Sequence, residues 1–348
     1  MSEAAYFLRG SDPDKWGSLV SSIDWDDGIP AVSDSKMIVL GGDYEHTLGM
    51  GLTEQDVRAG IIYRPHANAA EFLNVVLNKS DFEISECSLA NYLLYRGNDD
   101  DWLTAIPVFP IRAFRHGDVV VRKDSKLREF RELAGRKVGI RDYSQTLAVW
   151  MRGILKDEYQ LDWRDVHWVS VQDQRFSAPQ GVKLTTTHVD LEELLIIGEI
   201  DAVIMGPLRD SSRPPAERRL RPLLDNPREA EIRYFGRTGV FPIRHTIVLR
   251  KEVLTREPGA ARAVFDSYVA AKKTALRRRL GATLVPWGEQ AWSEALAVFG
   301  SDSHPYGLTD GNRKQVSLLV GYLLDQGFIR HGLNVDELFV PGSVDWRE

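Results

Sequence analysis

The stretch FPIRAFRHGDVVVRKD, residues 109–124, has a partial copy in FPIRHTIVLRKE, residues 241–252. Each copy begins Phe-Pro-Ile-Arg, reaches a histidine, and continues into an apolar run that ends Arg-Lys-acid. A chain that crosses from one lobe to a second lobe and then returns needs two connecting segments that lie side by side. We therefore predict two lobes, a hinge of two crossing segments, and an interlobe cleft of the kind that commonly binds small ligands.

The repeat also divides the chain. Residues 1–35 are polar, with Asp, Ser, Gly and Pro among tryptophans, and we interpret them as an N-terminal extension. Residues 36–116 and 246–348 are predicted to form lobe 1, and residues 117–245 are predicted to form lobe 2. A chain of 348 residues is long enough for two lobes with proper cores.

Short β-branched runs alternate with segments of helical period from residue 37 onward. The predicted strands are MIVL (37–40), DFEI (81–84), LTAIPVF (103–109), KVGI (137–140) and DAVIMG (201–206). The predicted helices are SLANYLLYRG (88–97), RDYSQTLAVWMRGILKDEY (141–159) and VDLEELLIIGEI (189–200), the last with Asp190 as its N-cap. Strands that alternate with helices predict an α/β fold with largely parallel sheets.

Composition narrows the possible partners. The net charge is −6 and no long basic stripe occurs, so nucleic acid is not expected. The single cysteine, Cys87, excludes an intramolecular disulfide framework, and no apolar run approaches the ~20 residues that span a bilayer. The start of the chain lacks a basic segment followed by an apolar one, so we expect a cytoplasmic protein that binds a small molecule. A homo-oligomer is left open.

Several stretches resemble a known group of proteins. HGDVVVRKDSKLREFRELAGRKVGIRDYSQT (116–146) and GEIDAVIMGP (198–207) resemble the second lobe of the type II periplasmic-binding-protein fold. More narrowly, the chain resembles the 4,5-dihydroxyphthalate decarboxylase family, a cytoplasmic enzyme branch of that fold. The stretches that carry this resemblance are GGDYEHT (41–47), SECSLANYL (85–93), IPVFPIRAFRH (106–116), VWMRGIL (149–155), FPIRHTIVLRKEV (241–253) and HPYGL (304–308).

The resemblance implies that the protein removes CO2 from a hydroxylated aromatic dicarboxylate, 4,5-dihydroxyphthalate, and gives protocatechuate. Without an organic cofactor, the ring carbon that bears the leaving carboxylate must be protonated. A deprotonated hydroxyl para to that carboxylate makes this feasible because it pushes electrons to the carbon. Such a site needs cations for carboxylates, a base for the phenol, an acid for the carbon, and exclusion of water.

Candidate cations lie on the two crossing segments. Arg112, Arg115 and His116 precede the first hinge strand, and a guanidinium can bind a carboxylate through two parallel hydrogen bonds. Arg244 and His245 occupy the matching place on the return crossing, where His245 could bind a catechol hydroxyl or relay its proton. The alternatives are surface arginines paired with neighbouring acids and a histidine that only packs in the hinge.

Candidate proton-transfer groups follow two predicted strands. Asp43 and His46 come after a glycine pair that would let a ligand approach the backbone, and Glu86 stands between a strand and a helix. A carboxyl that is shielded from water holds its proton more tightly, so Glu86 could protonate carbon, with Ser85 and Ser88 beside it. For both acids, simple helix capping is the alternative.

A third group is predicted to bind substrate. Ser144, Gln145 and Thr146 open the helix after KVGIRDY, where exposed N–H groups attract anions. Tyr306, in a loop-like HPY segment, could cover the cleft or simply pack. Arg152, further along the same helix, is expected to buttress the fold.

Metal and cofactor motifs are not recognisable. The eight histidines include no HExxH, His-x-His or Cys-His cluster, so we predict neither a metal nor an organic cofactor. The alternative is a metal held by Asp43, His46, Glu86 and His116. Two rival functions stay open: a non-catalytic solute-binding protein for an aromatic or organic acid, and a related enzyme for another substrate. The second follows from Glu45-His46, where the family often has Asp-Arg.

Overall fold

The structure is a computed structural model that describes residues 36–171, 174–279 and 285–348. The predicted N-terminal extension, residues 1–35, lies outside the described residues. The strands are β1 (Met37–Gly42), β2 (Ile61–His66), β3 (Ile84–Ser88), β4 (Leu103–Ile106), β5 (Val119–Arg122), β6 (Lys137–Ile140), β7 (His167–Ser170), β8 (Leu184–Thr186), β9 (Ala202–Ile204), β10 (Leu220–Pro222) and β11 (His245–Arg250).

Ten α-helices lie in the described part of the chain. In chain order they are α1 (Glu54–Arg58), α2 (Ala69–Leu77), α3 (Leu89–Gly97), α4 (Thr146–Tyr159), α5 (Leu191–Ile197), α6 (Pro227–Thr238), α7 (Lys251–Arg256), α8 (Ala260–Arg279), α9 (Gly288–Phe299) and α10 (Asp310–Asp325). Asp190 caps α5 as predicted, because its carboxylate accepts from the N–H groups of Glu192 (2.9 Å) and Glu193 (3.1 Å). None of the helices combines the length and apolar character needed to cross a membrane.

The strands form two sheets. The first has the order β2-β1-β3-β11-β4, with β1, β2 and β3 parallel and β11 antiparallel to both of its neighbours. The second has the order β10-β5-β9-β6-β7-β8 and uses only strands from the middle of the chain. Strand β3 begins later than the predicted 81–84 stretch. Its ISECS sequence is fully buried yet largely polar, so hydrophobic pattern could not reveal it.

The two Phe-Pro-Ile-Arg segments lie side by side between the sheets. Arg112 and Ile243 form an antiparallel bridge. The N–H of Ala113 donates to the carbonyl of Pro242 (3.1 Å), and the N–H of Arg244 donates to the carbonyl of Ile111 (2.9 Å). The predicted hinge of two crossing segments is therefore present. The lobe boundaries at 116/117 and 245/246 stay a prediction.

The largest hydrophobic cluster is continuous between the sheets. It includes Val248 of the first sheet, Val138 of the second, and Trp150 of α4. The indole N–H of Trp150 donates to the hinge carbonyl of Ile243 (2.8 Å). Helix α10 packs against both α4 and α3, and this shared apolar interior supports the hinge. Arg152 lies in this interior with hydrogen bonds to Gln326 and to a backbone carbonyl, which agrees with its expected buttressing role.

Candidate active site

Glu86 is fully buried and accepts hydrogen bonds from three directions. The N–H of Gly42 donates to Oε2 (3.0 Å), and the hydroxyl of Tyr44 donates to Oε1 (2.9 Å). Nδ1 of His245 lies 2.5 Å from the same Oε1. With its proton on Nδ1, the imidazole donates to the carboxylate and leaves Nε2 as an acceptor. Within the described residues, Nε2 of His245 has no hydrogen-bond partner.

Strand register explains why these residues meet. In the antiparallel pairing of β3 with β11, Glu86 lies opposite Ile247 and Ser88 lies opposite His245. Residues two apart on a strand share a face, so Glu86 and His245 are diagonal neighbours on one face of the sheet. Gly42 is the last residue of β1, the other neighbour of β3.

The glycine pair before Tyr44 makes room for aromatic rings. A Cβ at Gly42 would lie 1.9 Å from the ring of Tyr44, and one at Gly41 would lie 2.5 Å from the hydroxyl of Tyr63. The hydroxyl of Tyr63 donates to the carbonyl of Gly42 (2.8 Å). Burial raises the pKa of Tyr44, so its hydroxyl keeps its proton and remains a donor to Glu86. The glycines were expected to admit a ligand, and tyrosines fill that space instead.

Two guanidinium groups lie beside this cluster. Arg244 is half-buried and, among the residues that the structure describes, has no side-chain hydrogen bond or ion pair. Burial lowers its pKa to about 10, with the charge of Arg115 as the next cause, so Arg244 stays charged at neutral pH. Arg115 forms an ion pair with Asp118, and in the part of the chain that the structure describes its Nε and Nη2 have no hydrogen-bond partner. The charges of Asp118 and Glu86 also act on Arg244 and favour its charged form.

His245 is held in its neutral form. Burial lowers its pKa, and the hydrogen bond with Glu86 opposes this effect only in part. The positive charges of Arg244 and Arg115 act in the same direction as burial. A neutral imidazole with one free nitrogen can accept a proton, and Glu86 would stabilise the imidazolium that results.

A pair of hydroxyls connects β3 to helix α4. The hydroxyls of Ser88 and Thr146 lie 2.6 Å apart, and the N–H of Ala90 donates to that of Thr146 (3.2 Å). Thr146 is the first residue of α4, so the predicted serine and threonine meet at the start of two helices. Gln145 precedes Thr146 as the half-buried N-cap of α4.

Two other predicted serines turn inward. The hydroxyl of Ser144 donates to the carboxylate of Asp142 (2.6 Å), and Ser144 is fully buried. The hydroxyl of Ser85 donates to the carbonyl of Glu86 (3.1 Å) and is buried as well. The hydroxyl of Ser144 is therefore bonded to a nearby carboxylate and that of Ser85 to a nearby carbonyl, and within the described residues neither is hydrogen-bonded to the Glu86 side chain.

His116 does not join the Glu86 cluster. Its ring is fully buried against Phe130, Tyr159 and Tyr234, and neither ring nitrogen has a hydrogen-bond partner among the described residues. Burial lowers the pKa of His116 to about 4, so the ring is neutral. The structure thus places this predicted cation in an aromatic pocket, where a charge is unfavourable.

Arg112 and Tyr306 also lie away from the cluster's hydrogen bonds. Arg112 donates to the carbonyl of Pro305 (3.1 Å) and to the amide oxygen of Asn312 (2.5 Å), so it anchors a loop to α10. Tyr306 is buried, packs edge-on against Tyr268, and has the ammonium group of Lys272 4.4 Å from its ring centre. These contacts favour packing, the alternative that the sequence left open for Tyr306.

Among the described residues, no hydrogen bond or ion pair joins Asp43 to His46. Asp43 is exposed, and the N-cap of the short 3-10 helix that follows is Tyr44. His46 stacks on Tyr44 with ring centres 5.3 Å apart. Its other side faces a cavity of about 190 Å³ that is also lined by His304. In the described ranges, no group of three or more His, Cys, Asp or Glu side chains is arranged to hold a metal ion.

The sequence-based predictions missed Tyr44, Tyr63 and Asp118. Tyr44 and Tyr63 were hidden because their partners lie on other strands. The glycine pair at 41–42 was the available signal, since two adjacent glycines at a strand end indicate a close approach by a neighbouring group. Asp118 was detectable as an acid three residues after Arg115.

Comparison with solved structures identifies the fold. The periplasmic aliphatic sulphonate-binding protein SsuA of Escherichia coli superposes with a TM-score of 0.56 at 11% identity, over 90% of this chain and 99% of that one. A mutant of the desulfurization enzyme DszB in complex with biphenyl-2-sulfinic acid superposes with a TM-score of 0.51 at 16% identity, over 89% of this chain and 98% of that one. The two-lobed periplasmic-binding-protein-like α/β fold is therefore confirmed.

Curated relatives identify the family. No model of a protein family matches the chain. A 4,5-dihydroxyphthalate decarboxylase of Comamonas testosteroni is 30% identical over 280 residues, which cover 76% of this chain and 84% of that protein. A second protein of that name, from Pseudomonas putida, is 32% identical over 138 residues, or 37% of this chain and 53% of that protein. The chain belongs to the 4,5-dihydroxyphthalate decarboxylase family.

Proposed function

We propose that the protein is a cofactor-independent decarboxylase that converts 4,5-dihydroxyphthalate to protocatechuate and CO2. The observation that carries this proposal is the buried Glu86–His245 pair beside Arg244, a guanidinium without a partner among the described residues. The names of the two curated relatives support the reaction and the substrate class. The proposal needs a carboxylate-binding group and a proton donor in one buried place, and these residues supply both.

Substrate binding is assigned to the hinge arginines. Arg244 offers its full guanidinium, and Arg115 offers Nε and Nη2, which have no hydrogen-bond partner within the described ranges. A bidentate guanidinium suits one carboxylate of an ortho-dicarboxylate, and a second cation beside it suits the other. The hydroxyls of Ser88 and Thr146 bind a remaining substrate oxygen from the side of α4.

Proton transfer is assigned to His245 rather than to Glu86. Both oxygens of Glu86 are occupied by hydrogen bonds from Gly42, Tyr44 and His245, and the side chain is fully buried. Nε2 of His245 is the free end of this pair. Glu86 therefore orients the imidazole and stabilises its charged form, and His245 transfers the proton to substrate.

The reaction is balanced by one proton for each turnover. His245 first takes a proton from solvent on Nε2 and becomes an imidazolium, and the hydroxyl para to the leaving carboxylate loses its proton to solvent. The ring carbon then takes the proton from Nε2 of His245, which returns the imidazole to its neutral form. The bond between the ring and CO2 then breaks, and its electron pair restores the aromatic ring as a phenolate. Solvent returns the hydroxyl proton, so the net reaction consumes one proton and releases CO2.

The direct test is purified protein mixed with 4,5-dihydroxyphthalate, with CO2 and protocatechuate followed by mass spectrometry. In D2O we expect slower turnover and one deuterium on the ring carbon that lost its carboxylate. Dialysis against a chelator should leave the activity intact. Activity that chelation abolishes and a divalent metal restores would contradict a cofactor-independent mechanism.

Two outcomes would contradict the proposal in different ways. Tight binding of 4,5-dihydroxyphthalate without CO2 release would identify a solute-binding protein. Turnover of another hydroxylated dicarboxylate in its place would keep the reaction and change the substrate. The position to examine then is Glu45-His46, where His46 stacks on Tyr44 and the family often has Asp-Arg.

A further inference from the structure

The charges around the Glu86–His245 pair cancel. Arg115 and Asp118 form an ion pair, and Arg244 and Glu86 contribute one charge of each sign. His245 is neutral because it is buried, and within the described residues its side chain has one hydrogen bond, to Glu86. The site therefore holds two positive and two negative side chains.

The other titratable groups that face the pair add no charge. They come from every neighbouring element: Tyr44 and His46 after β1, Tyr63 on β2, Cys87 on β3, and Tyr268 and Tyr306 from α8 and the C-terminal loop. Burial raises the pKa of each tyrosine and of the cysteine, and it lowers the pKa of His46. All six are neutral at pH 7, so they do not change this balance of charges.

An aromatic dicarboxylate brings two negative charges to this balanced site. The Glu86–His245 pair is the group beside Arg244 that can respond, because Nε2 of His245 has no partner among the described residues and Glu86 would stabilise an imidazolium. We infer that binding of a dicarboxylate is coupled to the uptake of one proton by the Glu86–His245 pair. This inference rests on the proposed function for the class of ligand.

The proton that the reaction consumes is then taken up when the substrate binds. It is bound to Nε2 of His245 before any change in the ring. During the reaction the N–H bond at Nε2 breaks and a C–H bond forms at the ring carbon. The imidazole returns to its neutral form as CO2 leaves, and the charges cancel again when product departs.

Calorimetry with phthalate tests this coupling apart from catalysis. Phthalate has both carboxylates but no hydroxyl, so it should bind without turnover. Titrations at pH 7.5 in buffers of different ionisation enthalpy give the number of protons taken up, and we expect about 0.5–1 per phthalate bound. The affinity should fall by up to about tenfold for each pH unit above neutrality. Benzoate, with a single negative charge, should take up fewer protons.

Variants locate the proton. Glu86→Gln and His245→Gln should both reduce the uptake on phthalate binding to near zero. His66→Gln is the matched control. His66, the last residue of β2, pairs with Glu71 of α2 outside the cluster, so this substitution should leave the proton uptake unchanged. The comparison of phthalate with benzoate uses unmodified protein, so the test survives if a variant fails to fold.

Three results would overturn the inference. They are no proton uptake by the unmodified protein, an unchanged uptake in both Glu86→Gln and His245→Gln, and no binding of phthalate at all. Each is distinct from failure of the proposed function, which is measured as turnover of 4,5-dihydroxyphthalate. An enzyme that releases CO2 but binds phthalate without proton uptake would lose only the inference.

Discussion

Nδ1 of His245 lies 2.5 Å from Oε1 of Glu86, although 159 positions separate the two residues in the chain. The register of β3 with β11 fixes their relative position, and the backbone of Gly42 and the hydroxyl of Tyr44 hold the carboxylate from the other side. Because both side chains are buried, removal of either one would leave the other without its partner. The pair therefore acts as one unit.

Glu86→Gln and His245→Gln should lower kcat by about 10²–10⁴, because proton transfer to carbon loses its donor or the group that stabilises it. Affinity for 4,5-dihydroxyphthalate should change less than kcat. Steady-state kinetics and calorimetry measure the two effects separately. Asp43→Asn and His116→Gln are the matched comparisons, since neither residue contacts the pair. Near-normal kcat in both pair variants would remove the pair from the reaction.

Arg115→Ala and Arg244→Ala should each weaken substrate binding by roughly 2–5 kcal/mol, because a desolvated carboxylate would lose its partner. The lysine variants should restore binding only in part, since an ammonium group cannot form two parallel hydrogen bonds. Calorimetry of substrate binding measures both changes. Arg250→Ala is the control, because its guanidinium pairs with Glu252 at the end of β11. Wild-type affinity in either alanine variant would exclude that arginine from the site.

The stability of the fold should decrease in acid because of His116. The histidine has a pKa of about 4 in the folded protein and about 6.5 when unfolded. Between these values the unfolded chain binds more protons, so this contribution is complete above pH 6.5 and is lost as the pH falls toward 4. Urea unfolding gives the free energy of unfolding at pH 7.5 and at pH 4.5. Between these two pH values it should fall by about 1–3 kcal/mol less in His116→Gln than in the unmodified protein. Equal falls in both proteins would contradict this account.

The contact between α4 and α10 should depend on Gly153. A Cβ at this position would lie 2.3 Å from the ring of Tyr322, so Gly153→Ala should destabilise the protein by about 1–3 kcal/mol. No atom of the described residues lies within 4 Å of a Cβ placed at Gly236 on α6, and Gly236→Ala should stabilise the protein by about 0.5–1 kcal/mol. Thermal unfolding compares the two variants. If the unfolding temperature shifted in the same direction in both variants, the contact with Tyr322 would not explain the effect of Gly153→Ala.

The fold could be predicted from the sequence because its signals are local or repeated. The Phe-Pro-Ile-Arg phrase occurs at both crossings, and the Arg112–Ile243 bridge confirms that they are adjacent. Asp190 is a short polar residue directly before an apolar helical pattern, and it caps α5. Strand β3 was placed too early, because its polar residues are buried by neighbours that lie far away in the chain.

The candidate site was only partly predictable because its chemistry is set by partners in space. Glu86 and His245 were both predicted, yet the hydrogen bond between them depends on strand register. His116 and His245 are the histidines that the two copies of the repeat reach. The first lies in an aromatic pocket, and the second is paired with a buried carboxylate. Sequence alone gave no means of separating these two environments.

The position of β11 also governs how a newly made chain can assemble. Strand β11 lies between β3 and β4, while every strand of the second sheet comes from residues 119–222. During synthesis, the second sheet can form before β11 has been made. Until then, the edges of β3 and β4 that pair with β11 have no partner strand. Such edges readily pair with other chains, so we expect the nascent protein to need chaperone protection until residue 250 emerges.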